Sequence, residues 1–196
     1  MAKGSQFERK ICKELSLWWT SGKRDDVFWR TQNSGGRAAI RTRKGKSTSG
    51  QYGDIASTDK ISAKFTRLFT IELKVGYAKH TFVDLFDLPA HRKQSTFEGF
   101  LEQVGLDKKE SKTPYWMLIS KRNSRDVLVF IPYLFYKYHR NYMEFRDQRR
   151  FPIPFGRIKA RFRLSSDKTK LVKLDMICMK FELFKEYFKP EIIKKL

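Results

Sequence analysis

The run Thr70-Ile71-Glu72-Leu73-Lys74-Val75 constrains this chain more than any other stretch of it. Its residues alternate with period two, the mark of a β-strand, so Ile71, Leu73 and Val75 lie on one face and Glu72 and Lys74 share the other. Eighteen positions before Glu72 stands Asp54, which follows Gly53 at the start of a second strand candidate, Gln51 to Ala56. Adjacent strands can present Asp54, Glu72 and Lys74 together. Carboxylate oxygens are hard ligands suited to magnesium or manganese, and a metal held by them activates water and stabilises charge on a phosphoryl group. Plainer readings stand beside this one: an ordinary Glu-Lys pair on a solvated strand face, and a turn aspartate at position 54.

Charge and composition narrow the partner. The chain has 196 residues, with 42 Lys and Arg against 21 Asp and Glu, for a formal charge of +21. Such an excess points to a polyanion, and nucleic acid fits best because phosphate neutralisation and counterion release drive its binding. Hydrophobic residues make up 40% of the chain and Phe alone contributes 17, enough for a core and against wholesale disorder. Cys12, Cys178 and the three histidines (His80, His91, His139) match no zinc or disulfide pattern. No signal segment or membrane span is evident, and the expected location is a reducing cytoplasm.

Along the chain, Ser5 to Trp19 reads as an amphipathic helix with Phe7, Ile11, Leu15 and Trp18 on one stripe. Val27 to Trp29 begins a short strand. Arg30 to Gly50 is a basic, glycine-containing loop without an acid. Phe65 to Val75 reads as one strand, Phe97 to Lys109 as a helix ended by Pro114, and Tyr115 to Ser120 and Val127 to Ile131 as strands. Beyond Pro132, Tyr133 to Tyr142 reads as helical, Arg157 to Leu164 as an edge strand, Leu171 to Met179 as a strand and Phe181 to Phe188 as a short helix. Glu8, on the first helix, admits two readings: a third acid at the margin of the buried face, or the second half of a capping box opened by Ser5.

In order, Lys3-Gly4-Ser5-Gln6-Phe7-Glu8-Arg9, Arg30 with Ser34-Gly35, Gly53-Asp54 and Ile71-Glu72-Leu73-Lys74 resemble the PD-(D/E)XK nuclease superfamily. Within it the likeness is nearest to Holliday junction resolvases of archaeal and phage type, over about residues 3 to 131. The resemblance implies an α/β restriction-endonuclease-like fold, a mixed central sheet flanked by helices. It also implies magnesium, with manganese as a substitute, held by Glu8, Asp54 and Glu72, and Lys74 as a catalytic lysine. Gln103 resembles an active-site glutamine found at this place in several phage branches, its alternative being an exposed helical residue. Ser34 resembles the mobile-loop serine of junction resolvases, its alternative being a turn residue. Arg30 matches a basic position of that family by its place in the order.

Three departures mark the chain: Gly53 replaces the superfamily's Pro, the step from Asp54 to Glu72 is longer than in compact resolvases, and the basic carboxyl-terminal part has no counterpart. The expected organisation is a nuclease core over 1–132 and a basic, aromatic-rich extension over 133–196 packed on it. Arg30, Arg37, Arg41, Arg43, Lys44 and Lys46, with the Arg157-Lys159-Arg161-Arg163 strand face, are the expected phosphate contacts. Aromatics interleaved with basic residues from Tyr133 to Arg150 can stack unpaired bases or fill core. The expected activity is metal-dependent DNA hydrolysis on branched junctions by a homodimer, in the host cytoplasm if phage-encoded. The alternatives are another endonuclease of this fold, serving phage replication, packaging or restriction, and a noncatalytic nucleic-acid-binding protein.

Overall fold

A computed structural model of the chain describes residues 3–31, 52–77, 79–87, 93–139, 155–165, 167 and 169–196. Helix α1 (Lys3–Trp19) leads to a two-stranded antiparallel ribbon of β1 (Phe28–Arg30) and β2 (Ile55–Ser57), in which Trp29 faces Ala56. A short helix α2 (Ala63–Leu68) then runs directly into β3 (Phe69–Val75). Helices α3 (Asp84–Asp87) and α4 (Thr96–Ser111) carry the chain to β4 (Tyr115–Lys121) and its hairpin partner β5 (Val127–Pro132). The remainder is α5 (Tyr133–His139), β6 (Phe155–Arg163), β7 (Leu171–Lys180), α6 (Phe181–Tyr187) and α7 (Pro190–Ile193).

The main sheet has five strands in the order β3-β4-β5-β7-β6. Only β3 and β4 pair in parallel, which requires a long crossover, and α3 and α4 supply it. The other three pairings are antiparallel. The fold is therefore α/β with a mixed central sheet flanked by helices.

Each face of that sheet buries its own layer. One layer packs Ile11, Leu15 and Trp19 of α1 against Ile71, Leu73 and Ile119. Many of the phenylalanines gather there: Phe65 touches Trp18, Trp19, Phe28 and Phe69, and Phe69 meets Phe135 edge-on at 4.8 Å. The opposite layer sets Phe97, Phe100 and Val104 of α4 on Leu118, Phe130 and Ile158. Both faces of β3 are thus covered, and Glu72 is only 2% exposed. The solvated-face reading of the Glu72–Lys74 pair does not hold.

Several further expectations need correction. Phe65 to Leu68 is helical, so the strand begins at Phe69; an apolar run beside a long helix can be buried equally well by either period. This inserted helix also accounts for part of the long step from Asp54 to Glu72. Ser5 lies inside α1, which already runs from Lys3, and its hydroxyl accepts from Arg30 Nη1 at 2.9 Å. The Ser5–Glu8 capping box is therefore absent. Trp18 sits at the margin of the helix stripe, its indole N–H donating to Lys185 O at 2.8 Å, while Trp19 takes the buried position. Of the segment Gln51 to Ala56, Gln51 lies outside the described residues and the strand begins at Ile55.

Candidate active site

Asp54 reaches β3 through its backbone. Its N–H donates to Ile71 O at 2.7 Å, and its carbonyl accepts from Thr31 N at 2.9 Å. The Thr31 hydroxyl also donates to Gly53 O at 2.9 Å. Gly53 has φ +73°, a left-handed conformation that side chains other than glycine resist. A β-carbon there would stand 2.6 Å from Ile71 O. Glycine at this position lets the loop lie flat against β3, and the Asp54 carboxylate then accepts Leu73 N–H at 2.8 Å.

The Glu72 side chain lies close enough to Asp54 that the two carboxyls interact electrostatically. Burial raises both groups above the ordinary carboxylate range. For Asp54 the Leu73 N–H and the Lys74 charge pull the other way; for Glu72 the negative Asp54 adds to burial while Lys74 opposes it. Two acids held this close cannot both ionise cheaply without a cation between them.

Lys74 is the cation the chain itself provides. Its ammonium donates to Glu72 Oε1 at 2.5 Å and to Gln103 Oε1 at 2.9 Å, and lies 5.3 Å over the Phe100 ring. Phe100 and Gln103 are three apart on α4 and so share a face. That helix starts with a capping box, in which Ser95 Oγ accepts Glu98 N–H and Glu98 Oε2 accepts Ser95 N–H. One turn beyond Gln103, Asp107 is pushed up to about 6 by burial, then by the negative Glu110 and Asp54, with Lys74 opposing. Sequence reasoning missed Asp107; its signal was the four-residue step from Gln103, which places both on one stripe.

Glu8 stands at the edge of this group. Its carboxylate receives Arg30 Nε at 2.9 Å, and its charge is felt by Asp54 and by the buried Cys12 thiol, which burial pushes up to about 12. Arg30 is thus engaged within the protein. Ser34, Arg37, Arg41, Arg43, Lys44 and Lys46 lie outside the described residues. On β6, Ile158, Ala160 and Phe162 are buried in the α4 layer, so the exposed Arg157, Lys159, Arg161 and Arg163 point to the face opposite Glu72. They also occupy the edge strand farthest from β3. Arg157 is paired with Asp175 and stacked 3.5 Å from the Tyr133 ring. Of the aromatics from Tyr133 to Arg150, Phe135 is core, and those beyond residue 139 lie outside the described residues.

Among the described residues, no group of three or more His, Cys, Asp or Glu side chains is placed to hold a metal ion. Asp54 and Glu72 remain as a pair of buried acids that interact electrostatically. No helix among the described residues is long and apolar enough to cross a membrane. A family model described as "Phage putative PDDEXK endonuclease" matches residues 1–195. No curated protein and no solved structure matches the chain.

Proposed function

The chain belongs to this phage endonuclease family of the PD-(D/E)XK superfamily, and on that premise we propose that it is a magnesium-dependent enzyme hydrolysing DNA phosphodiester bonds. The observation that carries the proposal is the buried Asp54–Glu72 carboxyl pair with the Lys74 ammonium 2.5 Å from Glu72. The donor set fits a hard divalent ion. Magnesium commonly takes one or two protein carboxylates and completes its shell with water and substrate phosphate oxygens. A cation between Asp54 and Glu72 would also favour the ionised forms that burial disfavours in both groups.

Asp54 and Glu72 would hold the ion, with Glu8 near enough to add charge but shared with Arg30. When bound, the ion supplies Lewis-acid stabilisation of the phosphoryl oxygens and lowers the pKa of water. The chain's own groups do the rest. Lys74, anchored by Glu72 and Gln103, holds a positive charge where negative charge develops on the phosphoryl group. Phe100 under the ammonium keeps water from one side of it. Gln103 restrains Lys74 and keeps an amide N–H free to orient water. A new P–O bond forms from water oxygen, the bond to the leaving sugar oxygen breaks, and a proton passes to that oxygen.

A labelled linear duplex, a single strand and a four-way junction, each incubated with magnesium or manganese and with EDTA, test this reading. Wild type is expected to cut at least one of them, Asp54→Asn to cut none measurably, and Lys74→Ala to cut far more slowly. A wild type that binds DNA and never cuts it would leave a noncatalytic binding protein. The narrower proposal, a junction resolvase acting as a homodimer with Ser34 assisting, rests on the motif order. It requires junctions to be cut faster than duplex and the protein to sediment as a dimer. Equal rates on junction and duplex would remove the resolvase and leave the endonuclease.

A further inference from the structure

Beside the carboxylate pair lies a cavity of about 200 Å³ over β4, β5 and the end of β7. Strand register fixes where it stands. Lys74 pairs with Ser120, Ser120 with Leu128, and Leu128 with Lys180, so the four form one row across the sheet. Ser120, Leu128 and Lys180 all line the cavity. Row partners point to the same face, and neighbouring strands lie about 4.8 Å apart. The cavity therefore begins about 5 Å from the Lys74 position and ends about 15 Å from it.

Its floor is aromatic. Phe97 and Phe130 pack edge-on at 5.2 Å, and the half-buried Phe82 stands 5.9 Å from Phe130. Its rim is basic: Arg122 and Arg125 come from the β4–β5 turn. Asp126, the one acid of the lining, is taken by Lys180 at 2.6 Å.

We propose that this cavity receives one unpaired nucleotide of the DNA substrate, its base against Phe82 and its phosphate on Arg122 and Arg125. Ring faces stack on bases of any sequence, and guanidiniums fork onto phosphate oxygens. A purely apolar ligand leaves the arginines unmatched, and inorganic phosphate leaves the rings unmatched. The volume suits one ring system, and a base inside a duplex cannot enter without leaving its stack. With at least ~3.4 Å per nucleotide along a strand, the occupant lies within a few nucleotides of a phosphate at Lys74. The inference rests on the nuclease reading for its substrate, and it makes that nuclease selective for DNA with an unpaired nucleotide near the cut.

Binding is measured in EDTA, where cutting does not interfere, with a duplex carrying one unpaired 2-aminopurine and the same duplex with that base paired. Wild type is expected to bind the unpaired probe about tenfold tighter and to quench its fluorescence by stacking. Phe82→Ala loses the quench and most of the preference. The double variant Arg122→Glu/Arg125→Glu, on an exposed turn that leaves the core intact, also loses most of the preference. Equal wild-type affinity for the two probes, or a quench and preference that survive both variants, overturns the cavity assignment. Adding magnesium separates the two readings. A wild type that cuts neither probe defeats the nuclease while leaving the binding result to stand. Cutting that ignores both variants, with no preference between probes, defeats the cavity alone.

Discussion

Replacing Gly53 by alanine tests how Asp54 is brought to the site. A β-carbon at this position meets Ile71 O at 2.6 Å, Ile71 N at 3.0 Å and Ile71 C at 3.2 Å. All three are backbone atoms of β3, a strand paired in register with β4 from Phe69 to Val75, so they cannot move aside as a side chain would. The left-handed backbone at φ +73° costs about 1–2 kcal/mol for any residue with a β-carbon. Overpacking against an ordered interior adds about 1–3 kcal/mol. The sum, about 2–5 kcal/mol, corresponds to a fall in melting temperature on the order of 10 °C for a chain of this size.

Gly22 is the control, because it has φ +83° and nothing within 4 Å of an added β-carbon. Gly22→Ala should show the backbone cost alone, about 1–2 kcal/mol. The difference between the two variants isolates the close approach to Ile71. Where the Gly53→Ala loop relieves its clash by lifting off β3, Asp54 loses Leu73 N–H, and cutting falls more than stability. Thermal unfolding in EDTA, paired with single-turnover cutting in magnesium, follows both routes. Equal melting temperatures for Gly53→Ala and Gly22→Ala, with full cutting by both, would refute the reasoning. Gly53→Pro, which restores the superfamily's residue, should do no better, since proline is confined near φ −65°.

Three other outcomes are expected. Lys74→Ala should lower the single-turnover rate by about 10²–10³-fold, the usual loss when a positioned charge is removed from a transition state. In EDTA, Glu72→Gln should gain on wild type in melting temperature as pH rises from the acid range toward neutrality. The sign follows from linkage: burial and Asp54 raise the folded Glu72 and so favour its protonated form. The stability this contributes is present below the unfolded carboxylate pKa and lost as pH rises through the folded one. Magnesium should then narrow the gap, and a gap constant across pH would count against the raised carboxyl. Ser95→Ala should cost about 0.5–2 kcal/mol by opening the α4 capping box, read as a small drop in melting temperature with cutting retained below the transition.

Much of the sheet was legible because period two survives in β3, β6 and the β4–β5 hairpin, and turn residues bound each strand. Asp54, Glu72, Lys74 and Gln103 could be set in one group by their order along the chain. What alternation does not encode is the layer that covers a face. Glu72 and Lys74 read as well for solvent as for a site until α4 lies over them. Likewise the basic residues of β6 share a face in the sequence, but only the strand order and register show that they turn away from Glu72. Asp107 was missed because a helical acid flanked by Lys108 and Lys109 looks solvated until its neighbours across space are known.

The same covering explains why such a pair can persist. Burying two carboxyls beside each other disfavours the ionised state, and a loosely held strand would relax to let them part. Here β3 cannot relax easily. Its other face locks Ile71 and Leu73 into the aromatic layer, where Ile71 is 0% and Leu73 6% exposed. Asp54 is tied to the same strand through Ile71 O and Leu73 N. The apolar side of β3 therefore holds the polar side in an arrangement unfavourable by itself. On the proposed function, a divalent cation followed by a phosphate would be the partner that turns that arrangement from a cost into binding affinity.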